Sequence, residues 1–338
     1  MLTIEETKKI YEDKSIETID IFDTSEKTSL EFMLFDFEYV KNINIVNLNT
    51  SKVTNMRHAF SRCKSLEHIN LARLNTSNVI NLACIFRNCY HLKELDVNSF
   101  DTSKATDMSR MFDNCKFLTS LDLSSFDTSN ATDMRDMFHR CQLLVSLDLS
   151  NFNTSNVTSM NMMFDYCKAF TSLNLSNFDT RRVTDMSRMF DNCSLLASLD
   201  LSNFNTSNVT NMRLMFAQCY ELHSLDISSF DFSNIKNIDF MFDYCNKLTD
   251  LKFGKNLRKS LEFVHCPLSH ESALSVIDGL GEPIADEIHY RYKIRNNIIN
   301  FSQVTYETLT DEDKKRIEAK GWRLISDKHY DSHEDLFK

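Results

Sequence analysis

The chain has 338 residues, 38 basic against 48 acidic side chains and 42% apolar content; at −10 it folds in water and lacks the basic footprint a nucleic-acid partner needs. Its glycines are only Gly254, Gly279, Gly281 and Gly321, with prolines only at 267 and 283, so no glycine-rich phosphate loop exists and nucleotide-dependent enzymes are disfavoured. No stretch approaches the roughly 18 apolar residues of a membrane span, and the opening MLTIEETKKIYEDK lacks a basic leader and apolar core, which predicts a cytoplasmic chain.

In chain order, Thr3-x-x-Glu6 predicts a capping box opening a helix over 4–13, within a helical N-terminal cap at 1–21. From 22 to 255 a 26-residue period takes over: cysteine stands at 63, 89, 115, 141, 167, 193, 219 and 245, and phenylalanine three residues ahead of each. In the unit 126–151, Met134, Met137, Phe138 and Cys141 fall at i, i+3, i+4 and i+7, which predicts two turns of helix with one buried face, capped by Thr132 or Asp133. Leu147 and Leu149 alternate with Ser146, Asp148 and Ser150, which predicts a half-buried strand. The expected fold is therefore an α/β repeat, a leucine-rich-repeat solenoid of about nine strand-helix coils over 22–255. Its parallel sheet lies on one face, its first coil (22–47) is degenerate, and a cap closes each end. The C-terminal cap, 256–326, is expected to hold a strand at 261–264, a helix between Ser269 and Gly279 and an apolar alternation over 288–299. A helix opened by Thr310-x-x-Asp313 then ends at Gly321 before a strand at 322–325, and 327–338 reads as a loose polar tail.

The string FDTSN(V/A)TDMxxMFxxCxxLxxLDLS resembles the bacterial surface repeats of the BspA-type leucine-rich family, also found in mycoplasma lipoprotein repeats of unknown function. The match covers roughly 22–255. The stretch LSHESALSVIDGL…LTDEDKKRIEAKGWRLIS resembles the segment that often follows such repeats. The resemblance implies a non-enzymatic surface or secreted protein used for adhesion or protein binding, its partner a protein such as a host or matrix component. It carries over no catalytic residue, cofactor or metal. The missing leader favours the alternative, an intracellular scaffold or host-directed effector using the same surface, and localisation stays open between the two.

The most informative column outside the core lies between the two strand leucines: Asn70, Asp96, Asp122, Asp148, Asn174, Asp200 and Asp226. Like charges one strand apart repel and require relief. In one reading Ser120, Ser146, Ser172, Ser198 and Ser224 solvate the acids together with water. In the other, the ladder receives a basic or hydrogen-bonding partner, with calcium a subsidiary possibility. The cysteine column is expected to be packing, because rungs about 4.8 Å apart exceed the roughly 3.8 Å between Cβ atoms of a disulfide and no C-x-x-C pair occurs. Cys84 aligns with Arg110, Asp136, Met162 and Arg188 and is expected at an exposed helix position, where pairing or reaction is a minor alternative and its role stays open. The methionine columns read as core filling, and the N-x-[S/T] triplets at 49–51 and 208–210 as turn chemistry rather than glycan sites. His265, Cys266 and His270 are the nearest approach to a zinc set, and no nucleophile, histidine and acid set supports an enzyme, in the repeats or in 256–326.

Overall fold

The computed structural model describes residues 3–9, 13–284 and 297–326, in two compact units, 1–177 and 178–338. In the first unit, α1 (Ile4–Lys9) opens with the expected capping box: Glu6 accepts from the Thr3 amide at 2.9 Å and the Thr3 hydroxyl accepts from the Glu6 amide at 3.2 Å. Residues 10–12 of the expected helix lie outside the described residues. Strands β1 (Thr18–Asp23), β2 (Asn42–Leu48) and β3 (His68–Asn70) form a parallel sheet in that order. Parallel pairing thus begins at Thr18, inside the stretch expected to be a helical cap. Ile19, Ile21, Ile43 and Ile45 alternate inward and are buried.

The solenoid is present, but its coils are not strand-helix coils. Residues 22–255 are all described and contain no α-helix. In the coil 126–151 the Met137 amide donates to the Met134 carbonyl at 3.3 Å and the Cys141 amide to the Phe138 carbonyl at 3.1 Å, two successive β-turns. Asp136 (φ 55°) and Arg140 (φ 59°) occupy their third positions in the left-handed region. The amides of Asp136, Phe138 and Arg140 donate instead to Asn161, Met163 and Asp165 of the next coil, at 2.8, 3.0 and 2.7 Å. A helix requires each amide to reach back four residues, and alternate amides here are committed to a neighbour. The buried face survives the change, because two consecutive turns bring i, i+3, i+4 and i+7 to one side much as two helical turns do. Met134, Met137, Phe138 and Cys141 are all fully buried.

Each conserved-period letter has an inter-coil task. Phe86, Phe112, Phe138 and Phe164 stack with ring centroids 6.1, 5.8 and 5.8 Å apart. The thiols of Cys115, Cys141 and Cys167 donate to the carbonyls of Phe86, Phe112 and Phe138, at 3.3, 3.3 and 3.1 Å. The buried Thr128 hydroxyl donates to the Asn153 carbonyl at 3.0 Å and accepts from the Asn153 amide at 2.8 Å, a double stitch that Thr76 and Thr102 repeat.

The second unit repeats this plan. Phe190, Phe216 and Phe242 stack at 5.7 and 5.6 Å, and β4 (Ser198–Asp200), β5 (Ser224–Asp226) and β6 (Asp250–Lys252) pair in parallel register. After them come β7 (Leu261–Phe263), α2 (His270–Gly279), β8 (Ile298–Phe301), α3 (Gln303–Thr308), α4 (Asp311–Ala319) and β9 (Arg323–Ser326). Ser269 and Thr310 cap α2 and α4 as expected, whereas α3, capped by Ser302, was not foreseen. Helix α2 closes the edge of β6: the Leu251 and Phe253 backbone amides donate to Ser272 Oγ at 2.8 Å and Ser275 Oγ at 2.9 Å. Glycine enters the sequence where this closure begins, since a Cβ on Gly254 would lie 2.2 Å from the Phe230 carbonyl oxygen. Strands β7, β8 and β9 make a third parallel sheet; 288–296 of the expected alternation and the 327–338 tail lie outside the described residues.

Candidate functional site

Triplets of the form polar-Leu-Asp or polar-Leu-Asn, such as Glu94-Leu95-Asp96, Ser120-Leu121-Asp122 and Ser172-Leu173-Asn174, recur along the coils of each unit. In the first unit Leu95 and Leu121 are buried while Asp96, Ser120, Asp122, Ser146, Asp148 and Ser172 are exposed. In the second, Leu199 and Leu225 are buried, Ser198 and Asp200 exposed, and Ser224 and Asp226 half-buried. Asp96, Asp122 and Asp148 therefore occupy matching outward positions of consecutive coils, and Asp200 is the register partner of Asp226.

Each acid is held by the backbone two residues on. Oδ1 of Asp96, Asp122, Asp148, Asp200 and Asp226 accepts from the amide of Asn98, Ser124, Ser150, Ser202 and Ser228, at 2.9 to 3.0 Å. Asn70 and Asn174 make the same bond, so an amide oxygen serves the turn as well as a carboxylate does. The serines expected to solvate the acids are not these partners; Ser224 Oγ, for one, donates to Asp250 at 3.0 Å. Ser124, Ser150, Ser202 and Ser228 were missed by sequence reasoning, although the triplet Asp-x-Ser marks an Asx turn. The Ser124 amide and hydroxyl hold the Asp122 carboxyl below its ordinary value, and those of Ser150 do so for Asp148 against a small upward push from Asp122. Asp200 is lowered by the hydroxyl and amide of Ser202. Burial pushes Asp226 up, but Ser228 and Lys252 outweigh it and leave it lowered.

Strand pairing along this face does not follow charge alone, since Asp200 pairs with Asp226 and the segment carrying Asn174 forms no strand. Where the column runs Asp20, Asn44, Asn70 the strands pair, with Asn44 Nδ2 donating to Asp20 at 2.7 Å. Where it runs Asp200, Asp226, Lys252 they pair too, with Lys252 Nζ 3.0 Å from Asp226. The segments carrying Asp96, Asp122 and Asp148 form no assigned strand. Among the described residues, no Lys or Arg nitrogen lies within 4.0 Å of these three carboxylates. On the turn side, by contrast, Asp36, Asp113, Asp136 and Asp133 carry Arg62, Arg87, Arg110 and Arg135 at 2.9, 2.8, 3.1 and 2.7 Å.

The remaining candidates are structural. All ten cysteines are buried free thiols. Cys84 is a correction: it is 4% exposed, because its column is the third position of a turn packed by neighbouring coils, and burial lifts its thiol to about 11. His265, Cys266 and His270 are engaged separately, with Asp243 at 2.9 Å, the Phe242 carbonyl at 3.4 Å and Asp313 at 3.1 Å. Asn49 Oδ1 accepts from Ser51 Oγ at 2.7 Å, the turn chemistry expected of the N-x-[S/T] triplets, whereas Asn208 Nδ2 donates to the Arg181 carbonyl of the preceding coil at 2.7 Å. Among the described residues, no helix is long and apolar enough to cross a membrane.

Coils of 26 residues joined by parallel, in-register contacts define a leucine-rich-repeat solenoid. The chain belongs to the family described as "Mycoplasma protein of unknown function, DUF285", whose model matches residues 5–120, 85–176 and 170–260, and the BspA-type repeat pattern is consistent with that membership. No curated protein matches it. Among solved structures it is similar to a leucine-rich repeat protein from Eubacterium ventriosum, at 16% identity over 88% of this chain and 84% of that one, with a TM-score of 0.33. It is also similar to a chain of a TLR13–ssRNA13 complex (16% identity, 90% and 42% covered, TM-score 0.27). The Drosophila Toll–Spätzle complex provides a third, at 14% identity over 87% and 51%, with a TM-score of 0.18.

Proposed function

We propose that this chain is a non-enzymatic protein-binding or adhesion module that takes a basic or hydrogen-bonding protein surface along the strand face of its coils. Asp96, Asp122 and Asp148, with Ser120, Ser146 and Ser172, are the contact residues in the first unit; Asp200 and Asp226, with Ser198 and Ser224, are the corresponding residues of the second. The observation that carries the reading is the missing counter-cation at Asp96, Asp122 and Asp148, beside arginine-paired acids on the turn side. Carboxylates already fixed by their own turns lose little freedom when a cation arrives, and a row of one sign steers it in. A repeat fold in a family of unknown function also fits an interaction module better than an enzyme.

The test is a triple variant, D96N/D122N/D148N, titrated with a fluorescent lysine-rich peptide of flexible sequence. The variant is expected to fold, because Asn70 and Asn174 already fill this column with the same turn bond, and to bind at least about tenfold more weakly at ~50 mM salt. Equal binding by variant and parent would sink the assignment. We place the protein at the cell surface or outside it, with a host or matrix protein as partner. Ten free thiols suit the alternative, a scaffold or effector in a reducing compartment. Protease shaving of intact source cells decides: release of peptides from 48–255 supports display, and recovery from lysate alone moves the same surface inside the cell.

A further inference from the structure

His58 is the one imidazole in its column, the left-handed third position of a turn, which runs Phe32, His58, Cys84 and Arg110 through the first coils at φ 56, 56, 60 and 56°. Its ring stacks on Phe32 of the preceding coil, with centroids 5.0 Å apart and planes 7° from parallel, and meets the edge of Phe35 at 5.8 Å. Nδ1 is buried and has no hydrogen-bond partner among the described residues. The charges acting on the ring are Arg57 beside it, Arg87 and Arg110 from the next two coils, and Glu31 from the preceding one. Glu31 is shared already, with Asn55 Nδ2 at 3.1 Å and Arg57 at 3.9 Å. Arg62 lies over Phe35 at 5.5 Å, and Cys84, the counterpart of His58 in the next coil, stays a neutral thiol because burial lifts it to about 11. Three guanidiniums and one engaged carboxylate thus surround a ring whose inner nitrogen has no acceptor.

We infer that His58 is an acid-sensitive latch between coils 22–47 and 48–73, closed while its ring is neutral and loosened when the ring gains a proton. A neutral imidazole carries one N–H and can leave Nδ1 bare; the imidazolium carries a proton on each nitrogen, and one of them then faces a dry contact with nothing to accept it. The guanidiniums oppose the new charge, while the face of Phe32 attracts it. Burial first, and Arg57, Arg87 and Arg110 after it, prevail and hold the ring's pKa below the ordinary histidine value. The folded state therefore binds this proton less tightly than the unfolded state, so the latch contributes fully above about pH 6.5 and is lost as pH falls below it. The ring sits on the ladder that joins the two coils. The amides of Phe32, Leu34 and Asp36 donate to the carbonyls of Arg57, Ala59 and Ser61 at 3.1, 2.7 and 2.9 Å, and these bonds open when the stack of Phe32 on His58 gives way.

The test compares the full chain with its His58→Phe variant by hydrogen exchange at about pH 7.5 and about pH 5.5, corrected for intrinsic exchange rates. Phenylalanine suits the position, because Phe32 and Phe240 fill the same column at φ 56 and 59°, and it keeps the ring stack without a titrating nitrogen. Between the two pH values, protection of the Phe32, Leu34 and Asp36 amides is expected to fall at least about fourfold in the parent and less than about twofold in the variant. The Leu214 and Phe216 amides of the second unit, which donate to Asp239 and Met241 at 3.0 and 2.9 Å in the same kind of ladder, are expected to change in neither protein. Equal loss in parent and variant, or no loss in the parent, overturns the latch. A second check needs no variant: the His58 ring of the parent, titrated by NMR, is expected to show a midpoint below the ordinary value of about 6.5, and a midpoint at or above it overturns the latch as well.

Discussion

Thr128 shows what one residue does when a period multiplies it. Its hydroxyl is fully buried, and it both accepts from and donates to the backbone of Asn153 in the next coil. Valine has the same shape without the hydroxyl, and would leave a buried amide and carbonyl without partners. Thr128→Val is therefore expected to cost about 2–3 kcal/mol, against less than about 1 for Thr128→Ser, measured by urea unfolding. Asp191 is the opposite case, a residue the fold tolerates at a cost. It is 1% exposed, and burial lifts its carboxyl to about 6 despite Arg188 at 3.0 Å. The folded state binds this proton more tightly than the unfolded state, whose aspartate titrates near 3.9. Stability from this residue is thus present at acid pH and falls as pH rises from about 4 through 6. Asp191→Asn is expected to raise stability by about 1–3 kcal/mol at pH 8 and to leave it nearly unchanged at pH 4. Destabilisation at pH 8 would show that the Arg188 pair outweighs burial.

The elements were legible to different degrees, and the reason is geometric. Side-chain burial could be read directly, because an apolar i, i+3, i+4, i+7 set marks a buried face whichever backbone presents it. The backbone could not, since consecutive turns mimic that spacing without the helical hydrogen bonds. A signal did exist: the left-handed positions of the coils, such as Asp136 and Arg140 or Met162 and Tyr166, recur every 26 residues and hold no Val, Ile or Thr, the residues least able to adopt φ > 0. The caps read more easily, because Ser269 and Thr310 announce helices by local capping chemistry. Of the candidate site, the outward acids were visible from alternation, but their actual partners two residues on were not. Nor did alternation reveal that the strand segments holding Asp96, Asp122 and Asp148 would go unpaired. Like charge on neighbouring coils opposes that pairing, although Asp200 and Asp226 do pair in register, and Asp122→Asn measures how much it contributes. Asn preserves the turn bond while removing one carboxylate from between two others. Amide protection at 120–122 and 146–148 is expected to increase in hydrogen exchange, with a small rise in Tm at ~10 mM salt that fades toward ~1 M. Unchanged protection at both salts would assign the unpaired strand to coil geometry instead.

At the scale of the molecule, the period converts weak local preferences into a core that no single coil can build. Coils 74–99, 100–125 and 126–151 each contribute one phenylalanine to a stack, one thiol to a neighbour's carbonyl and one threonine to the next backbone, so none of them keeps its interactions after an adjacent coil is lost. The cysteines are a native reporter of this dependence. All ten are buried, and for thiols such as Cys115 and Cys167 burial pushes the pKa well above its ordinary value, suppressing the thiolate that reacts with alkylating agents. The native chain is expected to resist iodoacetamide at pH 8 at all ten positions, Cys84 included. As urea is raised, Cys89, Cys115, Cys141 and Cys167 of the first unit should become labelled at one shared midpoint, and Cys219 and Cys245 of the second at a midpoint common to those two, read by peptide mass spectrometry. Coupling through stacked rings and shared carbonyls is the cause of that concurrence. Labelling of Cys115 well before Cys89 and Cys141 would mean that an inner coil opens alone, and the stitched-ladder account of the core would fail with it.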